Sequence, residues 1–264
     1  MQNLVDILVF ASFWPAGIAA ALIAAVAAAF GGAPPVSALV LGFFGTFVVY
    51  NIDRLRDIDR DRTTTPARTA FIERHQSELT FASALGAIFC ALAAAMLPAS
   101  ISFLCAFVLT AGLLHRRIKH VAGWKTAYIS FAWVVVCIGI PALLSGLPTH
   151  EILPTGIVIG MTIAANLIVL NMHDQVGGIT RMPNHIAMGL AFFLCAAAAL
   201  ACLGEMADLA RGLAPIPTFE ALAVAGFASD RAKQSRERYG LVVVDGALLV
   251  GAIVACLSMH ARLA

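Results

Sequence analysis

The sequence predicts an all-α fold, a polytopic bundle of transmembrane helices, and three observations predict it. Of the 264 residues, 61% are hydrophobic and only 12% are charged, where soluble domains run nearer ~45–50% and ~25%. The mean hydropathy is +0.90, and the apolar residues fall in long blocks separated by short charged stretches. Basic residues gather in alternate connections and are nearly absent from the others. A soluble globular enzyme is excluded by the first two observations, and the third gives the bundle an orientation.

A helix needs about 20 mostly apolar residues to cross the hydrocarbon core. The blocks lie near 7–30, 35–51, 79–97, 100–115, 126–146, 152–171, 185–203, 214–228 and 240–260, about nine spans in one domain, 1–264. The first lacks a preceding basic region and a cleavage motif, so it reads as a retained helix. The fourth is short. The eighth is short too, and carries Glu220 with Pro215 and Pro217 near its start. Turn-like joints such as Gly31-Gly32-Ala33-Pro34-Pro35 and Leu147-Pro148-Thr149 divide neighbouring blocks. The many Ala and Gly residues predict close helix packing, because small side chains let backbones approach. Cys90, Cys105, Cys137, Cys195, Cys202 and Cys256 all sit in apolar blocks without metal-type spacing and read as packing thiols.

The segment 52–78 holds six Lys/Arg, 115–125 four, 172–184 one and 229–239 four; together they hold 15 of 17. With nine spans these four loops share one side, and only Arg211 and Arg262 fall on the other. Basic residues favour the cytoplasm. The N-terminus and these loops are therefore expected to be cytoplasmic, with the chain in the cell's inner membrane. The two loops richest in polar groups follow the second and sixth spans, which fits a bundle of two similar halves.

The segment after the second span carries the chemistry. Asp53, Asp57 and Asp61 are spaced i, i+4, i+8. On a helix that spacing stacks three carboxylates on one face, which is destabilising until something neutralises them. A hard divalent cation does so. Mg²⁺ takes one or two carboxylates, keeps several waters and bridges to phosphates. Arg54, Arg56, Arg60 and Arg62 interleave and are suited to the same phosphates. The plainer alternative is a solvated loop whose Arg and Asp residues neutralise one another.

In this stretch the chain resembles the UbiA superfamily of intramembrane prenyltransferases, whose first motif, NxxxDxxxD, follows the second helix. Asp53 stands here in the asparagine slot, followed by Asp57 and Asp61. Thr63-Thr64-Thr65-Pro66-Ala67-Arg68 is similar to the family's polar stretch before its third helix. The family's second motif, DxxxD, follows the sixth helix; here Asp174 matches the first acid and Gly178 stands in place of the second. Asn171, His173 or Gln175 would have to substitute for the missing carboxylate. Arg116-Arg117-Ile118-Lys119, before Trp124-Lys125-Thr126-Ala127-Tyr128, looks like the basic loop between the family's fourth and fifth helices.

The resemblance implies nine helices around a central cavity and Mg²⁺-dependent transfer of a prenyl group from a prenyl diphosphate to a lipid-soluble acceptor, an aromatic ring foremost. It implies Asp53, Asp57, Asp61 and Asp174 as metal-binding catalytic residues. Asn51, Arg54, Arg68, Arg117, Lys119, Asn171 and Tyr128 are then expected to bind substrate. Membrane lipids are the remaining partner, and no nucleic acid is expected. Gly178 supports an alternative: a catalytically impaired protein of this fold that binds or carries an isoprenoid or another lipid. A CDP-alcohol phosphotransferase is disfavoured, because no aspartate here is followed by its Gly-x-x-Ala-Arg run. A transporter would need acidic or basic relay residues in its inner spans.

Other polar residues stand in apolar surroundings. Asn166 and Asn171 are five apart and face the interior, either as helix–helix hydrogen bonds or as site residues. Asp245 lies six residues into the last span. It marks a functional site, or it snorkels or pairs with Arg236 or Arg238. Trp14, Trp124 and Trp133 are candidate interface anchors. Tyr50 joins that aromatic belt or lines the interior.

Overall fold

The computed structural model describes residues 4–118, 123–146, 149–173, 182–203, 208–228 and 240–263, and of these the side chains of 113–118, 149, 173, 208–210 and 262–263 are left aside. The described residues are helical nearly throughout. In order they form α1 (Leu4–Phe10), α2 (Phe13–Ala29), α3 (Val36–Arg56), α4 (Ile58–Asp61), α5 (Pro66–Arg74), α6 (Gln76–Ala95) and α7 (Ala99–Ile118). Then come α8 (Trp124–Ser145), α9 (Thr149–Leu170), α10 (Asn184–Leu203), α11 (Asp208–Leu213), α12 (Pro215–Ala228) and α13 (Asp245–Leu263). A 3-10 turn, Asn171–His173, extends α9, and a π-helical turn, Gly240–Val244, leads into α13.

Each of the nine apolar blocks falls on a helix. These helices close a ring by packing in the order α2, α3, α6, α7, α8, α9, α10, α12, α13 and back to α2, while α2 also packs across the ring on α8. Lipid explains the exposed apolar surface. Phe81, Phe103, Phe193, Leu200 and Leu222 are all at least 65% exposed, and a soluble monomer does not present so much apolar area. The buried apolar residues of α2, α3, α8, α9 and α13 form one core, centred on Leu22, Ile23, Ile138, Ile140 and Ile159. The protein is thus a polytopic helical membrane protein. Six described helices are long and apolar enough to cross a bilayer, or seven when α1 and α2 count as one bent span. The expected nine spans are therefore not all matched by length: the apolar part of α7 is Ala99–Gly112, and α12 has only 14 residues.

The first span is not one helix. α1 and α2 meet at 66°, and Ser12 at the junction takes a left-handed backbone, φ 65°, ψ 13°. A break inside a bilayer frees carbonyls that water does not reach, so side chains must satisfy them. Asn51 and Arg54, one turn apart near the end of α3, do this. The Asn51 amide Nδ2 donates to Ala11 O at 3.1 Å and to Phe47 O at 3.0 Å, and its Oδ1 accepts from Ser12 Oγ at 3.0 Å. Arg54 Nη1 donates to Phe10 O at 2.8 Å, to Ser12 Oγ at 2.9 Å and to Val9 O at 3.4 Å. The guanidinium also lies 5.7 Å from the centroid of the Tyr50 ring, a cation–π distance. All six cysteines are free thiols.

Candidate functional site

Two polar regions stand where α3 and α9 end. At the first, α3 does not run through the aspartate series as a single helix. It stops at Arg56, Asp57 takes φ −101°, ψ 15°, and the one-turn α4 follows. Two helical hydrogen bonds still bridge the junction, from Asp57 N–H to Asp53 O at 3.1 Å and from Asp61 N–H to Asp57 O at 2.9 Å. The expected continuous face is therefore kinked at its middle carboxylate, where the backbone enters the sparsely populated bridge region. Asp53 lies exposed on α3, while Asp57 and Asp61 are half-buried.

Arginines neutralise these acids locally. Arg60 lies 3.7 Å from Asp57, Arg62 lies 3.3 Å from Asp59, and Arg68 Nη2 meets Asp61 Oδ2 at 3.1 Å. Arg68 Nη2 also donates to Thr65 Oγ1 at 3.0 Å, so the start of α5, opened by Pro66, is tied back to the end of α4. Arg62 bonds Glu73 at 2.7 Å and secures the same hairpin. The Glu73 carboxylate, by hydrogen bond and then by charge, holds that guanidinium above its ordinary value. Asp59 is 93% exposed and belongs to the solvated face.

At the second region, α8, the end of α9 and the start of α10 border a small cleft lined by Thr126, Ile168, Asn171, Met172, Met182, Asn184 and Ala187. Among the described residues Thr126 Oγ1 and Asn171 Nδ2 are buried there without hydrogen-bond partners, a cost in free energy that a polar group in the cleft would relieve. Asn171 was a sequence candidate. Thr126, in sequence only part of the stretch after the basic loop, and Asn184 were not site candidates, because a threonine at a helix start and an asparagine before a span are ordinary in sequence.

The structure redistributes the remaining candidates. Asn51 and Arg54, expected to bind substrate, hold the α1–α2 break. Both amide protons of Asn51 are used within the chain, and Arg54 is buried with its Nη1 on Phe10 O and Ser12 Oγ. Tyr128, also expected at the substrate, donates to Val108 O at 3.2 Å and ties α8 to α7. Tyr50 is an interior residue: Trp133 Nε1 donates to its hydroxyl at 3.3 Å, and the rings meet edge to face at 6.5 Å. Lys119 and Asp174, with His173's side chain, Gln175 and Gly178, lie outside the described residues, as do the side chain of Arg117 and both Arg236 and Arg238.

Among the described residues no group of three or more His, Cys, Asp and Glu converges as a metal cage. Asp57 and Asp61 are half-buried carboxylates, each already paired with an arginine.

No family model matches the sequence, and no curated protein matches it. Among solved structures, the chain is similar to a protein described under the words "structural and mechanistic insights into the biosynthesis of digeranylgeranylglyceryl phosphate synthase in membranes". The TM-score is 0.53 at 14% identity, over 94% of this chain and 98% of that one. The correspondence spans nearly the whole of both chains. This chain therefore shares the fold of that membrane protein.

Proposed function

We propose that the protein transfers a prenyl group from a prenyl diphosphate to a lipid-soluble acceptor, an aromatic ring foremost, within the membrane and with Mg²⁺. The carrying observation is the half-buried Asp57 and Asp61 at the kinked end of α3, in a fold shared with a membrane prenyl-transfer synthase. Asp57 and Asp61 would hold the ion, with Asp53 and Asp174 as further ligands. Bound there, Mg²⁺ supplies positive charge to the diphosphate oxygens as the allylic C–O bond breaks. The chain's own part is positioning and shielding. Arg60 and Arg68 already sit on these carboxylates and place guanidinium donors where a diphosphate would arrive. Thr126 and Asn171 offer unpartnered polar atoms in the cleft for the opposite end of that diphosphate or for the acceptor. The apolar ring excludes water from a carbocation-like prenyl group. Orientation follows the charge distribution, with the aspartate loops on the cytoplasmic side of the inner membrane.

The test is a titration of prenyl diphosphate into the protein in lipid nanodiscs, with and without Mg²⁺. Mg²⁺-dependent binding that Asp57→Ala and Asp61→Ala abolish supports the reading. Binding indifferent to Mg²⁺ and to both variants overturns it. Binding without turnover would favour the carrier alternative that Gly178 suggests.

A further inference from the structure

Three side chains that the reaction outlined above leaves unused meet in the interior of the bundle. Asn166 on α9 is 3% exposed, Asp245 at the start of α13 is 8% exposed, and Glu220 on α12 is 0% exposed. Asn166 Nδ2 donates to Asp245 Oδ1 at 3.1 Å. Among the described residues neither carboxyl oxygen of Glu220 has a well-formed hydrogen bond, although the Asn166 amide faces it as a donor and Asp245 lies within electrostatic reach. Among the described residues no cation forms an ion pair with either acid. Two acids placed this way in apolar surroundings do not both carry a charge, since an unpaired buried carboxylate is too costly. One of the two is a neutral carboxylic acid.

The division between them follows from what each faces. Glu220 faces Asn166 from α9, Cys195 from α10 and Asp245 from α13. Asp245 faces Asn166, Glu220 and, from α3, Arg54 and Tyr50, with Trp14 of α2 packed against the next residue, Gly246. Among the described residues only Asp245 lies within electrostatic reach of a cation, Arg54, which favours the negative charge on Asp245 and the proton on Glu220. Arg54 and Tyr50 flank Asp53 in α3. Asp245 therefore stands on the interior side of the segment that bears the aspartate series.

We propose that Asp245, oriented by Asn166 and backed by a neutral Glu220, takes up the proton that the acceptor loses on prenylation; this rests on the transfer reading above. As the acceptor's oxygen or ring carbon bonds to the allylic carbon, the allylic C–O bond breaks and its electron pair leaves with the diphosphate. The proton on the attacking O–H or C–H passes to an Asp245 carboxylate oxygen. The substrate class is thereby restricted to acceptors with an ionisable O–H or an aromatic C–H at the attacking atom. Asn166 and Glu220 are positioning residues that fix which oxygen is free and which acid is charged.

The experiment uses the full chain in lipid nanodiscs with two near-isosteric variants. Asp245→Asn keeps an oxygen to accept from Asn166, and Glu220→Gln keeps the shape. Infrared spectroscopy of the wild type at neutral pH is expected to show the C=O stretch of a protonated carboxyl that Glu220→Gln removes. A wild type without that band overturns the proposal. Transfer is then followed from geranylgeranyl diphosphate to two probes, 4-hydroxybenzoate and geranylgeranylglyceryl phosphate. Asp245→Asn is expected to bind the donor as wild type does and to transfer about 100-fold more slowly, with the rising limb of its pH–rate profile lost. Asp245→Glu should restore part of the rate. Wild-type transfer by Asp245→Asn overturns the proposal, as does a joint fall in melting temperature and donor binding, which marks a structural residue. A wild type that transfers to neither probe overturns the transfer reading and the proton role with it, and the infrared band tells that failure from a failure of the buried acid itself.

Discussion

Replacing Asn51 with leucine tests whether this residue serves the break in the first span or a substrate. The side chain is 1% exposed and makes three hydrogen bonds, to Ala11 O, to Phe47 O and from Ser12 Oγ. Phe47 O keeps its helical partner in the Asn51→Leu variant, so its loss is minor. Ala11 O is left without a donor in a water-poor interior, which costs about 1–3 kcal/mol. The Ser12 hydroxyl loses its acceptor but still accepts from Arg54, a further loss of about 1 kcal/mol. Leucine has the same branched four-atom shape and is somewhat larger, so no cavity term is added and any misfit adds to the loss. The sum, about 2–4 kcal/mol, corresponds to a fall in melting temperature of roughly 4–16 °C at the sensitivity usual for domains near this size. Differential scanning fluorimetry in detergent or nanodiscs measures it, beside a prenyl diphosphate titration. A variant with unchanged melting temperature and lost binding would refute the structural assignment and return Asn51 to the substrate site.

Further expectations follow from the same geometry. Asp57→Ala and Asp61→Ala should each lower Mg²⁺-dependent prenyl diphosphate binding at least tenfold, while Asp59→Ala, at a 93% exposed side chain, changes it little; equal losses at all three in calorimetric titrations would mean a diffuse charge effect. Because Asp61–Arg68 is a partly exposed pair, 21% and 18%, its removal should cost only about 0–1 kcal/mol of stability, which thermal melts will separate from the binding loss. Filling the cleft with Thr126→Val and Asn171→Leu should leave stability equal or higher, since two orphaned polar atoms disappear, yet lower transfer; melts and transfer assays on the double variant decide, and a destabilised, active protein would contradict the cleft assignment. Gly178→Asp should raise Mg²⁺ affinity without slowing transfer, and loss of stability in both Gly178→Asp and Gly178→Ala with no gain in affinity would instead mark a turn that needs glycine. Cysteine tags in 52–78, 115–125, 172–184 and 229–239 should all be labelled only from the cytoplasmic side.

The sequence by itself determined the class, the helices and the first acidic series. Length and continuity of an apolar block are local properties, and lipid leaves the backbone no alternative to a helix; that is why all nine blocks lie on helices. The separation of Asp53, Asp57 and Asp61 was equally legible, although the kink at Asp57 was not. Only the tertiary structure decided what the buried polar residues do. Asn51 and Arg54 look like members of the charged motif beside them, yet their partners across the bundle lie 39–45 residues away, at a helix break that the sequence marks only with Pro15, which has no N–H to give to Ala11 O. Asp245 offered a choice between snorkelling and function, and its partner Asn166 stands 79 residues earlier. Glu220 read as a blemish in a weak span and is fully buried between three helices. A hydrogen bond across a bundle depends on which faces the packing brings together, and that is a property of the ring as a whole, not of any one block within it.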